Sequence, residues 1–108
     1  MDLQTIRQHI NQIDASLVEL LEQRMKLVDQ VVFYKQANKM PILDLQREEK
    51  ILLTIQNTVQ NPAYTETICN TFKDIMSHSK TYQVNKLSSN KDEQKKENNQ
   101  LQNYPDLR

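Results

Sequence analysis

LQTIRQHINQIDASLVELLEQRMKLVDQVVFY, residues 3–34, decides the fold. Its apolar side chains recur at steps of three and four: Leu3, Ile6, Ile10, Ile13, Leu17, Leu20, then Leu27, Val31 and Tyr34. That spacing keeps one face of an α-helix apolar over several heptads. No breaker interrupts it before Pro41, so one helix is predicted from about Asp2 to about Asn38. At a rise of roughly 1.5 Å per residue it would be about 55 Å long.

The segment Lys39–Leu43 turns the chain. Asp44 is a good N-cap for a second helix, LQREEKILLTIQNTVQ, with Leu52, Ile55 and Val59 on its inner stripe. Asn61-Pro62 ends it, and a third helix is predicted from about Ala63 to about Val84, with Ile68, Phe72 and Ile75 on one face. From Asn85 on, NKLSSNKDEQKKENNQLQNYPDLR has little to bury and reads as a polar, mobile tail, with a short partner-binding segment around Leu101–Leu107 as the alternative. The expectation is thus an all-α helical domain over 1–84 and a tail over 85–108. Two shorter helices of roughly 25 and 33 Å cannot cover a seam of about 55 Å. The apolar face left over signals self-association, so a homodimer is expected.

Composition narrows the function. The 108 residues include no Gly and three Pro, which argues against hairpins and tight turns. Lys+Arg and Asp+Glu both number 14, a balance that favours neither nucleic acid nor an anionic membrane as partner. One cysteine, Cys69, and two distant histidines, His9 and His78, make neither a disulfide nor a metal site. No signal peptide or membrane-length run is seen, so a reducing, cytoplasmic setting is the expectation. Cys69 reads as a packing residue, Met25, Met40 and Met76 as gap fillers between helices, and both histidines as solvated.

The seam fails at informative places. Four residues beyond Leu20 stands Arg24, at a position that the neighbouring steps fill with apolar groups. Lys35 lies about 20° from it around the helix, at 100° per residue. Stepping back four from Leu52 gives Glu48; stepping on from Ile75 gives Ser79 and then Gln83. Any one of these has an ordinary explanation as a register-setting charge or a surface amide. Together they place polar groups on the inner faces of three helices, where uncompensated charge would cost several kcal/mol each. A cavity holding a small polar anion removes that difficulty. Arg7 precedes Arg24 by a helical distance of about 25 Å and cannot share one small ligand with it in the same chain. In an antiparallel pairing about Leu17–Leu21, Arg7 of one protomer falls beside Arg24 and Lys35 of the other.

The spacing Arg7…Arg24…Lys35…Asp44-x-x-Arg47-Glu48…Ser79-x-x-x-Gln83 resembles the active-site pattern of the AroQ chorismate mutases. So do the strings IDASLVELLEQRMKLV, YKQANKMPILDLQREEKIL and FKDIMSHSKTYQ, and the likeness runs from about residue 3 to about residue 84. The resemblance implies an intertwined six-helix-bundle homodimer that rearranges chorismate to prephenate without a cofactor. It also implies roles. Arg7 from the partner chain, Arg24 and Lys35 would hold the two substrate carboxylates. Lys35 and Gln83 would donate to the ether oxygen. Glu48 and backbone N–H groups at the start of the second helix would bind the ring hydroxyl. Asp44 and Arg47 would order that helix start and the loop before it and belong to the substrate-binding set, and Ser79 would contact a carboxylate or the hydroxyl side.

Two rival readings use the same residues. One is a lyase releasing pyruvate from isochorismate on a similar scaffold, against which the Asp44-x-x-Arg47-Glu48 pattern argues. The other is a non-catalytic helical dimer that docks to another aromatic-pathway enzyme. The presence of both Lys35 and Gln83 argues against it as the sole function, although docking could accompany catalysis.

Overall fold

The computed structural model describes residues 2–96, with side chains to Ser89. The expected tail beyond residue 96, and with it the segment Leu101–Leu107, lies outside the described residues. Three helices follow in order: α1, Leu3–Ala37; α2, Leu45–Thr58; and α3, Pro62–Lys96. No strand occurs among the described residues.

Local chemistry sets the helix starts. The Asp2 carboxylate accepts from the Thr5 N–H at 2.8 Å, and the Asp44 carboxylate accepts from Arg47 N–H at 3.0 Å, so each caps its helix. The Thr5 N–H holds the Asp2 carboxyl below its ordinary range. Asn61 does the same for α3, accepting from Ala63 N–H at 2.9 Å. Pro62 then occupies the first helical position, where its missing N–H costs nothing.

The end of α1 shows what a chain without glycine does. Met40 N–H donates to Lys35 O at 2.8 Å and Lys39 N–H to Gln36 O at 3.3 Å, the paired bonds of a Schellman motif. The motif needs one left-handed residue, and Lys39 supplies it with φ 54°. Pro41 follows at once and prevents the helix from resuming.

Two sequence expectations are corrected. The third helix does not stop near Val84 but runs to Lys96. Residues 85–96, NKLSSNKDEQKK, are polar but contain neither Gly nor Pro and are rich in the good helix formers Lys, Glu and Gln. Polarity there reports on burial, not on backbone conformation. Met40 was expected to fill a gap between helices, yet it is exposed after the helix end.

Packing centres on α3, which lies against both α1 and α2. The fully inward side chains are few: Val28 and Val32 of α1, with Val32 only 1% exposed, and Met76 of α3. The Tyr82 hydroxyl of α3 donates to the Asp29 carboxylate of α1 at 2.6 Å. This short, charge-assisted bond joins residues 53 apart in sequence. The first half of α1 stays uncovered, with Leu3 58% and Ile13 60% exposed and Leu17 and Leu20 similar. Lys39→Gly should relieve the left-handed strain and stabilise the fold by about 0.5–1 kcal/mol, after the entropy cost of glycine. Urea unfolding at fixed protein concentration checks this, and a less stable variant would contradict the Schellman assignment.

Candidate active site

Between the three helices lies a cavity of about 270 Å³. Arg24 and Lys35 reach it from α1, Glu48 and Arg47 from α2, and Ser79, Lys80 and Gln83 from α3. Asp44 lines it from the α2 cap and Ile42 from the preceding turn. Leu27, Val28, Val31, Ile51 and Met76 make its apolar wall. Cavities of this size suit a small organic molecule.

Each polar group is held by its own element. The Lys35 ammonium donates to the Ile42 carbonyl at 2.9 Å, which fixes the side chain against the α1–α2 turn. An ammonium has three donors, so two remain for a ligand. Gln83 and Ser79 sit one turn apart on α3, and the amide donates to the hydroxyl at 3.4 Å. Ser79 is buried at 6% exposure, and the Gln83 carbonyl oxygen is enclosed without a partner. Buried amides of that kind are normally paired, so this end of the cavity is built to receive a polar group. Glu48 pairs with Lys80 across the α2–α3 gap at 3.8 Å. The Tyr82–Asp29 bond, one residue from Gln83 and one from Val28, fixes the turn of α3 against α1 beside the cavity.

The formal charges are uneven. Arg24, Lys35, Arg47 and Lys80 face only Asp44 and Glu48. An excess of cations over an apolar wall suits a small anion. No histidine or cysteine lines the cavity. Among the described residues no cluster of three His, Cys, Asp or Glu could hold a metal ion. The arrangement offers donors and charge, without a nucleophile–base pair.

Seven of the eight residues singled out from sequence therefore meet in one place. Arg7 does not: it is exposed on α1, about 25 Å by helical rise from Arg24. At the start of the second helix Asp44 caps as expected. Arg47 N–H is taken by the Asp44 side chain and Glu48 N–H by the Asp44 carbonyl at 3.1 Å. Only the N–H groups before them are left to act as terminal donors. Lys80 was missed altogether. Its signal was its spacing, four residues after Met76 and three before Gln83, which places it on the inward side of α3.

The family described as chorismate mutase type II matches residues 6–84. A bifunctional chorismate mutase/prephenate dehydratase from Buchnera aphidicola subsp. Schizaphis graminum (strain Sg) is 41% identical over 56 residues. That stretch is 52% of this chain and 14% of the relative, so the chain corresponds to a small part of that protein. With the match spanning the helices that build the cavity, the chain belongs to the chorismate mutase type II family.

Proposed function

We propose that the protein rearranges chorismate to prephenate, in phenylalanine and tyrosine biosynthesis, as an intertwined homodimer with two sites. The observation that carries this reading is the convergence of Arg24, Lys35, Glu48, Ser79 and Gln83 from three helices on one cation-rich cavity. The reaction is an intramolecular Claisen rearrangement. One carbon–oxygen ether bond breaks as one carbon–carbon bond forms, and no proton, hydride or covalent adduct passes to the protein. A site that supplies only positioning and charge is sufficient for such a step.

Catalysis then rests on two effects. Arg24 and Lys35, with Arg7 of the other protomer, hold the two carboxylates and press the extended dianion into its compact reactive form. Lys35 and Gln83 donate to the ether oxygen, which gains negative charge only as the bond breaks. Interactions that strengthen in the transition state raise the rate, whereas uniform binding does not. Glu48 accepts from the ring hydroxyl, Asp44 and Arg47 hold the start of α2 in place, and Ser79 contacts a carboxylate or the hydroxyl side.

The dimer is supported by the uncovered apolar half of α1, where Leu3, Ile6, Ile10, Ile13 and Leu17 are exposed. A second α1 laid antiparallel covers that face and brings Arg7 to the partner's cavity. No helix among the described residues is long and apolar enough to cross a membrane. With a net charge of zero, neither nucleic acid nor a membrane surface is proposed as a partner, and the location proposed is the cytoplasm. A further aromatic-pathway enzyme is a candidate docking partner, since the Buchnera relative's name joins a mutase to a prephenate dehydratase.

The test is loss of chorismate absorbance near neutral pH, with the product identified by acid conversion to phenylpyruvate. Lys35→Ala should lower kcat by at least about 10²–10³ in a folded protein, the scale of losing one transition-state donor; near-normal turnover would refute its role. Gln83 donates without titrating, so wild-type activity should persist between about pH 6 and 8. Gln83→Glu must be protonated to donate, and its activity should fall as pH rises through that range. The reverse pattern would remove Gln83 from the ether oxygen. Co-refolding Arg7→Ala with Lys35→Ala should restore about a quarter of wild-type activity, because half the dimers are mixed and each has one intact site. No recovery would mean that Arg7 does not act across the interface.

A further inference from the structure

Lys80 lines the cavity, yet the reaction as described has no task for it. Its ammonium stands 3.8 Å from the Glu48 carboxylate, bridging α3 to α2. Both side chains are partly exposed, at 40% for Lys80 and 31% for Glu48, so the pair sits where the cavity meets solvent. An ion pair this exposed contributes little to stability. Its position gives it another use.

Glu48 is the one carboxylate aimed at the substrate from the inner stripe of α2, and the substrate is a dianion. The carboxylate suits the ring hydroxyl but repels both incoming carboxylates. Like charges brought together in a partly desolvated site disfavour binding unless a counter-charge lies close by. Lys35 is held at the Ile42 carbonyl. Among the described residues, Lys80 is the cation that pairs with Glu48.

We propose that Lys80 is a positioning residue for substrate capture, acting through Glu48: it orients this carboxylate and offsets its charge, so that the dianion can bind beside it. The inference rests on the mutase reading above. It places the effect of Lys80 on binding and leaves the chemical step to Lys35 and Gln83. Because the ring hydroxyl donates to Glu48 in ground state and transition state alike, the contribution is uniform and belongs in KM.

The experiment is a double-mutant cycle on the full chain, with chorismate turnover followed over a range of substrate concentration. Lys80→Met should raise KM about tenfold and leave kcat within about threefold, while Lys80→Arg should restore KM. In a Glu48→Gln background, Lys80→Met should change KM by no more than about twofold. An unchanged KM in Lys80→Met, an equal rise in both backgrounds, or a loss confined to kcat would each overturn the proposal. Prephenate binding by calorimetry gives the same cycle if Glu48→Gln turns over too slowly to assay. Absence of wild-type turnover would overturn the mutase reading together with this one, whereas wild-type turnover with an indifferent Lys80 would overturn this one alone.

Discussion

The apolar seam of α1 is left uncovered over its first half, and much of the rest follows from that exposure. At 35 residues α1 is about 52 Å long; α2 has 14 residues and spans about 21 Å, and α3, although also 35 residues long, leaves Leu3, Ile6, Ile10, Ile13 and Leu17 of α1 exposed. Packing by α3 leaves only Val28, Val32, Met76 and Ser79 buried among the described side chains. So small a core is marginal for a single protomer, since burial at about 25 cal/mol per Å² has to offset the entropy of ordering the chain. The same short core lies directly against the cavity, which shares Val28, Met76 and Ser79 with it. Binding pocket and hydrophobic core are thus two faces of one set of contacts. A truncation at Met76 would loosen both together.

The cavity tolerates its excess of cations because each is anchored or partly solvated. Lys35 has the Ile42 carbonyl, Lys80 has Glu48, Arg24 is half-buried on α1, and Arg47 is exposed on α2. None is sealed in an apolar interior, where an unpaired charge would cost several kcal/mol. Holding these groups in place before any ligand arrives serves the proposed rearrangement. Donors already fixed by a helix turn or a carbonyl need little reorganisation when charge develops on the substrate. The Tyr82–Asp29 bond belongs to the same scheme, since it orients the turn of α3 that carries Gln83.

Periodicity made most of this visible before any coordinates. Arg24, Lys35, Glu48, Ser79 and Gln83 stand out because each interrupts an apolar step, and a helix converts such steps into a shared face. Asp44 announced itself as a cap, and the structure shows it accepting from Arg47 N–H. What stayed hidden was of another kind. Lys80 follows the stripe of Met76, not that of Ile75, and a helix of wide apolar arc has more than one inward row. The end of α3 was misplaced because a loss of apolar residues ends a buried face without ending a helix; only Gly, Pro or a cap does that. The Schellman turn at Lys39 could not be expected from composition, since a lysine there takes the conformation that glycine usually fills.

Arg7 is where sequence, fold and proposed function meet most sharply. It sits exposed on the uncovered half of α1, about 25 Å by helical rise from Arg24 in the cavity. In the proposed dimer, the surface that completes the core also completes the site. A dianion gripped by Arg24 and Lys35 of one protomer and by Arg7 of the other then bridges the interface. Any ligand that binds only the assembled form stabilises it by mass action. Substrate and association reinforce each other through a single residue, and the long helix that cannot bury its own face becomes the element that carries both.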